Sequence, residues 1–244
     1  MAIIVLSLTA MPHAAERSID EKVRAALAAE SRPPADKARD ANRLPLETLI
    51  FFGLKDDMRV LEMIPGRGWY TRVLAPVLAE HGTLYVALGT NRIKENLLQQ
   101  PGFERVELLE TGANLRRSEQ RGVYLVDNFE FGVSDLDMVL TFRNLHNFEA
   151  DVRKIINQAV FNALKSGGHY GVVDHTRRHM EASAPENRRR LDPVLVIREL
   201  EDIGFEFVDF SDLHYRAGDG LDLEVGHESV TGQTDRFTLL FRKP

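Results

Sequence analysis

Glycines beside an acidic residue form the first group whose types and spacing could do chemistry. In the stretch VLEMIPGRGWYT, residues 60–71, an apolar run leads to Glu62, and Gly66 and Gly68 follow. Two glycines at this spacing indicate either a tight turn or a backbone that a ligand approaches closely. A carboxylate in the turn after a buried strand is costly unless it has hydrogen-bond donors, and this favours a role for Glu62 in ligand binding.

Two segments that contain histidine form the second group. His146 lies in FRNLHN after an apolar segment, and a histidine can take up a proton near neutral pH. Asp174 and His175 end another apolar segment, where the acid could orient a histidine or bind a metal, although adjacent strand residues point to opposite faces. Arg143 and Asn144 could hold a cofactor or substrate. Each of these side chains could instead be structural or solvated, and we predict no metal ion.

The elements that must position these residues alternate along the chain. This alternation predicts a parallel sheet with helices on both faces, in which ligands bind beyond the carboxyl ends of the strands. Site residues are therefore expected just after positions 62, 88, 142 and 174. The predicted strands are residues 58–64, 83–88, 103–110, 136–142, 168–174, 205–211 and 235–243, and the predicted helices are 18–30, 45–53, 68–82, 91–100, 149–165 and 192–204.

The chain divides into three predicted regions. Residues 1–15 contain the apolar run AIIVLSLTA and small residues near Ala15, which resembles a secretory signal without its basic start. A signal would place the protein in the periplasm or outside the cell, whereas a short strand or helix packed on the domain would leave a cytoplasmic location open. Residues 16–44 are predicted to form a helical arm and linker, and residues 45–244 the main α/β domain.

Composition excludes several function classes. The net charge of −6 lacks the basic footprint of a nucleic-acid-binding domain. The absence of cysteine excludes thiolate metal sites, disulfides and cysteine nucleophiles. No apolar run reaches the roughly 18 residues of a membrane span. The predicted partner is a small molecule, and the sequence does not indicate an oligomeric state.

A basic segment follows the Asp174–His175 pair. It is either a solvated face or a surface that attracts an anionic small substrate. Its charged residues are Arg177, Arg178, His179, Arg188, Arg189 and Arg190.

The E-x-x-x-G-x-G pattern from Glu62 to Gly68 resembles motif I of the class I S-adenosylmethionine-dependent methyltransferases. LTFRNLHNF (140–148), LKSGGHYGVVDH (164–175) and the ending TDRFTLLFRKP are similar to later motifs of that family. Residues 39–244 resemble a bacterial group of predicted methyltransferases, many of which carry an export signal. The resemblance implies a Rossmann-like, doubly wound, mostly parallel sheet with a C-terminal antiparallel strand, preceded by a helical extension.

The resemblance also implies a function and a set of site residues. The function is methyl transfer from S-adenosyl-L-methionine to a small molecule, with His146, Asp174 and His175 as catalytic candidates. The implied cofactor-binding residues are Glu62, Pro65, Gly66, Gly68, Tyr70, Thr71, Gly89, Thr90, Arg143 and Asn144.

Two departures from the family pattern leave alternatives open. Gly89 occupies the place of the acid that holds the ribose in that family, and Ile64 replaces the first glycine of the loop. A catalytically silent binding protein on the same scaffold is therefore one alternative. A nicotinamide-dependent oxidoreductase is another, although Thr71 at the third glycine position counts against a dinucleotide fingerprint.

Overall fold

A seven-stranded sheet organises the computed structural model, which describes residues 17–244. The signal-like segment predicted for residues 1–15 lies outside the described residues. The strands of this sheet are β1 (Arg59–Met63), β2 (Thr83–Ala87), β3 (Glu107–Leu108), β6 (Leu136–Phe142), β7 (Leu164–His175), β8 (Glu206–Ser211) and β9 (Arg236–Arg242). Two further strands, β4 (Arg116–Arg117) and β5 (Tyr124–Leu125), form a separate antiparallel pair.

The strand order is β3-β2-β1-β6-β7-β9-β8. The pairs from β3 to β7 are parallel, whereas β9 runs antiparallel to both β7 and β8. This topology confirms the predicted mostly parallel, doubly wound sheet with an antiparallel C-terminal strand. The order reverses between β1 and β6, and that reversal defines the crevice where ligands bind in such sheets.

Helices flank the sheet and precede it. They are α1 (Ile19–Ala28), α2 (Pro34–Lys37), α3 (Asp40–Arg43), α4 (Pro45–Phe51), α5 (Thr71–Leu78), α6 (Asn91–Glu95), α7 (Ala150–Ala163) and α8 (Pro193–Glu201). Ser18 and Glu21 form a capping box at the start of α1, since each side chain bonds the other residue's backbone N–H. Across residues 17–244, no helix combines the length and apolar character that a membrane span requires.

Several predicted boundaries were wrong. Helix α5 begins at Thr71 rather than at residue 68, because the φ angles of +63° at Gly66 and +78° at Gly68 are incompatible with a right-handed helix. Helix α6 ends at Glu95, five residues early, and β3 keeps only two residues. The region predicted as a helical arm and linker, residues 16–44, contains the two one-turn helices α2 and α3 after α1.

Hydrophobic residues are buried on both faces of the sheet. Neighbouring residues of β1 belong to different clusters, with Val60 packing in one and Leu61 in the other. Both are fully buried, as are β6 residues such as Met138 and Val139. A parallel strand covered on both faces has an almost continuous apolar sequence. These central strands are therefore rigid supports for the loops that follow them.

Candidate functional site

A cavity of about 520 Å³ lies at the carboxyl ends of β1 and β6, where the strand order reverses. Six predicted cofactor residues line it: Glu62, Pro65, Gly66, Tyr70, Arg143 and Asn144. Its other lining residues are Ala35, Asp36, Arg39, Arg43, Ile64, Arg67, Trp69, Arg92 and Phe142. The position of the cavity agrees with the rule that ligands occupy such switch points.

The two glycines of the loop have different roles. An added Cβ at Gly66 would meet no atom within 4 Å, so this residue leaves open space at the cavity. An added Cβ at Gly68 would lie 2.3 Å from the side chain of Leu97, so Gly68 allows the loop to pack against the chain after α6. Ile64 also has a positive φ, +54°, which is costly for a β-branched residue. Of the two glycines, Gly66 is therefore the one that leaves its backbone open to a ligand.

Glu62 is a buried carboxylate at the end of β1. It is 3% exposed, and its Oε2 accepts a hydrogen bond of 2.5 Å from the Thr71 hydroxyl. Burial raises the pKa of Glu62 to about 7, against the opposing effect of Thr71. The carboxylate can therefore change its charge near neutral pH, and a positive group in the cavity would favour its ionised form. Thr71 orients Glu62 and does not line the cavity.

Gly89 and Thr90, which follow β2, are not among the residues that line the cavity, although Arg92 of α6 is. Leu88 and Gly89 have successive positive φ angles of +62° and +61°, and an added Cβ at Gly89 would contact Leu115 and Ile64. Thr90 precedes α6 without making a side-chain cap. The predictions for Gly89 and Thr90 thus gain no support from the cavity geometry.

Arg143 and Asn144 follow β6 and make different contacts. The Asn144 amide donates to the carbonyls of Met63 and Ile64, both at 3.2 Å, and so ties the end of β6 to the loop after β1. Arg143 has a positive φ of +62°, and its backbone N–H donates to Val173 O at 2.7 Å. Asn144 therefore fixes the loop, whereas the Arg143 side chain is left for the cavity.

His146 and Asp174 form a hydrogen-bonded dyad at the ends of adjacent strands. His146 Nδ1 lies 2.5 Å from Asp174 Oδ1, and the His146 backbone N–H donates to Oδ2 at 3.1 Å. Asp174 is fully buried, and 7% of the His146 side chain remains exposed. No hydrogen bond from the described residues engages Nε2 of His146. A carboxylate at Nδ1 fixes the tautomer in which Nε2 is free to accept a proton.

His175 completes a group of three with the dyad. Its backbone N–H donates to Asp174 Oδ1 at 2.7 Å, and its Nδ1 lies 2.8 Å from Thr234 Oγ1. Burial lowers the pKa of His175 well below its usual range, with further lowering by His146 and Arg143, so the ring is neutral. The histidine that Asp174 orients is therefore His146, which follows the neighbouring strand, and within the described residues no hydrogen bond joins the Asp174 carboxylate to the His175 ring.

Each member of this group offers a ligand atom within 4.8 Å of the others, so a metal ion is geometrically conceivable. Two observations oppose it. Asp174 already accepts three hydrogen bonds, and the charges of Arg143 and Arg236 are close enough to affect His175. Nearby positive charge disfavours a cation, and the absence of a metal stays a prediction.

The arm before the main domain supplies site residues that the sequence prediction missed. Asp36, Arg39 and Arg43 line the cavity, and Trp69 Nε1 donates to Asp36 O at 3.0 Å. The spacing of Arg39 and Arg43, one helical turn apart, was a signal that these side chains share a face. The arm is therefore part of the site and not only a linker.

Aromatic rings and a buried histidine hold this arm in place. Tyr70 stacks on Phe142 with ring centroids 3.5 Å apart, and the Arg43 guanidinium lies 4.3 Å from the Trp69 ring centroid. His214 Nε2 lies 2.9 Å from Arg43 O. Burial lowers the pKa of His214 to about 4, so its neutral ring donates to that carbonyl.

Most charged residues of the basic segment after β7 have acidic partners. Arg190 makes a two-pronged contact with Asp219, at 2.9 Å for both bonds, and Glu224 pairs with Arg188 and Arg189. His179 lies 2.9 Å from Asp192, whereas Arg177 and Arg178 donate to backbone carbonyls. The geometry therefore favours the structural reading of this segment over attraction of an anionic substrate.

No family model matches the chain, and no curated protein sequence matches it. Among solved structures, an S-adenosylmethionine-dependent methyltransferase from Aquifex aeolicus matches with a TM-score of 0.56 at 18% identity, over 92% of this chain and 98% of that one. The [4+2]-cyclase SpnF matches with a TM-score of 0.59 at 15% identity, over 88% and 85%.

A TehB-like S-adenosylmethionine-dependent methyltransferase from Corynebacterium glutamicum matches with a TM-score of 0.52 at 13% identity, over 84% of this chain and 87% of that one. Identities this low show a common fold. The cyclase shows that proteins of this fold are not all named as methyltransferases. The chain therefore has the fold of the S-adenosylmethionine-dependent methyltransferases, as its motif I pattern predicted.

Proposed function

We propose that this chain binds S-adenosyl-L-methionine in the cavity between β1 and β6 and transfers its methyl group to a small molecule. The observation that carries the proposal is the Glu62–Gly66 loop. It brings a buried carboxylate and an open glycine backbone to one cavity at the switch point of the sheet. Solved methyltransferases of the same fold support this assignment.

The cavity residues fit an adenosyl cofactor. Ionised Glu62 would gain from a nearby positive charge, which the amino and sulfonium groups of the cofactor supply. Gly66 leaves room for close approach, and Tyr70 presents an aromatic wall. Asp36 is the cavity's second carboxylate and is available for ribose hydroxyls, since Gly89 offers no acid.

The residues around the cavity provide alignment and proton removal. When bound, the cofactor supplies an electrophilic methyl group, and the protein must hold the acceptor in line with it. Nε2 of His146 is positioned to take a proton from an acceptor hydroxyl or amine. Asp174 holds the proton on Nδ1 and stabilises the imidazolium that results.

Titration calorimetry on the purified chain tests the cofactor assignment. We expect S-adenosylmethionine and S-adenosylhomocysteine to bind and NAD not to bind. Glu62→Gln should weaken S-adenosylmethionine binding by about 1–3 kcal/mol, because a charge-assisted contact is lost. Glu47→Gln is the matched control, since Glu47 is exposed on α4 and should leave affinity unchanged.

The pH dependence of binding gives a second readout. A cationic ligand favours ionised Glu62, so wild-type affinity for S-adenosylmethionine should increase as the pH rises through about 7. Glu62→Gln should remove this increase. Binding of NAD in place of the adenosyl ligands would contradict the proposal.

A second candidate is a binding protein on this scaffold that does not transfer methyl groups. The missing acid at Gly89 favours it, and the cyclase of the same fold gives a precedent for another activity. A folded protein that binds neither adenosyl ligand would support this candidate.

A further inference from the structure

Three arginines from distant parts of the sequence gather beside the proposed cofactor cavity without acidic partners. We call Arg43, Arg143 and Arg236 the open arginine cluster. Arg43 and Arg236 are 6% and 4% exposed, and Arg143 is half-buried. Within residues 17–244, no ion pair joins any of the three to a carboxylate. Buried arginines without such partners are unusual, because charge burial is costly unless it is compensated.

The contacts of these guanidinium groups leave hydrogen-bonding capacity unused. Arg43 lies over the Trp69 ring, which provides no acceptor oxygen. Arg236 Nη1 donates to Asn42 O at 2.8 Å, but its buried Nε has no partner within the described residues. A guanidinium has five N–H donors in a planar fork that matches carboxylate and phosphate oxygens.

The three charges lie close together, because Arg236 bonds the carbonyl of Asn42 next to Arg43, and Arg43 and Arg143 line the same cavity. Burial, together with repulsion from neighbouring arginines that include Arg143 and Arg236, lowers the pKa of Arg43 to about 8. Burial also lowers the pKa of Arg236 to about 10, again with a contribution from Arg143. Bringing an anion to this place would relieve the repulsion within the cluster.

The cluster lies between the cavity and the His146–Asp174 dyad. Arg43 and Arg143 line the cavity, and Arg143 is three residues before His146. Arg236 faces His175 in the register between β9 and β7. An anionic group held here would therefore sit beside the proposed general base.

We propose that the open arginine cluster binds the carboxylate or phosphate group of an anionic methyl acceptor and so places the acceptor against His146. This inference rests on the proposed function and names its substrate class. The other anionic group that could bind the cluster is the carboxylate of the cofactor itself. Arg236 favours the acceptor, because it lies beside His175 and does not line the cofactor cavity.

Titration of the full chain with inorganic phosphate, at constant ionic strength set with chloride, tests the anion site. We expect saturable binding and an increase in Tm for the wild type. Arg236→Met and, as a second variant, Arg143→Met should each weaken phosphate binding at least tenfold. Arg189→Met is the matched control, because Arg189 is already paired with Glu224 and should bind phosphate like the wild type. Equal binding by all four proteins, or no binding by the wild type, would overturn the inference.

A second experiment distinguishes the two sources of the anion. The probes are S-adenosylhomocysteine and 5′-methylthioadenosine, which lacks the aminoacyl carboxylate. We expect phosphate and S-adenosylhomocysteine to bind together, and Arg236→Met to leave S-adenosylhomocysteine affinity intact. Competition between phosphate and S-adenosylhomocysteine but not 5′-methylthioadenosine would assign the cluster to the cofactor and overturn the acceptor proposal.

The two proposals fail separately. Wild-type phosphate binding without adenosyl-ligand binding would refute the proposed cofactor while the anion site stands. Adenosyl-ligand binding without phosphate binding would refute the anion site alone.

Discussion

Two groups of arginines in this molecule have opposite electrostatic arrangements. We call Arg188, Arg189 and Arg190 with their acidic partners the paired segment. There Arg190 and Asp219 are almost completely buried and joined by two hydrogen bonds, and Glu224 compensates the neighbouring arginines. In the open arginine cluster, three guanidinium groups share one region, and within the described residues none of them forms an ion pair with a carboxylate. Charges that are adjacent in the sequence can thus be neutralised by acidic partners in the fold. Single charges far apart in the sequence can combine into a strong positive site.

The largest expected effect comes from breaking the buried pair of the paired segment. Arg190→Met should reduce the free energy of unfolding by about 3–5 kcal/mol, because it leaves Asp219 buried without its partner. Urea unfolding monitored by circular dichroism measures this change. Arg189→Gln should cost less than about 1 kcal/mol, since that ion pair is partly exposed. Equal losses of stability in the two variants would show that burial does not determine how much these ion pairs contribute.

Acid should destabilise the region around the open cluster through His214. In the unfolded chain this histidine has an ordinary pKa near 6.5, whereas burial lowers its folded pKa to about 4. As the pH falls between these values, the unfolded state gains a proton that the folded state does not bind. Stability should therefore fall by about 3 kcal/mol across this window.

Urea unfolding at several pH values between 7 and 4 measures this slope. His214→Gln should make it shallower, because one of the buried histidines that gain a proton on unfolding is removed, while His175 remains. His227→Gln is the control at an exposed histidine and should retain the wild-type slope. An unchanged slope in His214→Gln would assign the acid sensitivity to other groups.

A smaller effect of opposite sign is expected within the open cluster. Arg43→Met should raise the free energy of unfolding by about 1 kcal/mol, because relief of an uncompensated buried charge exceeds the lost contact with Trp69. Chemical unfolding measures the change. Arg32→Met provides a matched control on the same arm, since Arg32 also lies over Trp69 but is paired with Asp40. Arg32→Met should lower the free energy of unfolding. A loss of stability in both variants would contradict the expected difference between a paired and an unpaired buried arginine.

Sequence patterns predicted the features that depend on neighbouring residues. The apolar run of β1 and the glycines after it located Glu62 and Gly66 at the cavity, since strand and turn preferences are local. The contact between His146 and Asp174 was not predictable in this way, because it depends on which strands are neighbours in the sheet. The Arg43–Arg143–Arg236 cluster was missed for the same reason.

The left-handed backbone at Ile64 has a consequence for how such proteins can be recognised. A glycine adopts this conformation without strain, whereas isoleucine adopts it at a cost of roughly 1–2 kcal/mol that the surrounding structure must offset. The loop thus keeps the backbone shape of a glycine turn although isoleucine occupies that position. For genome surveys, a search that requires glycine here would discard this chain, whereas one that compares backbone angles would retain it.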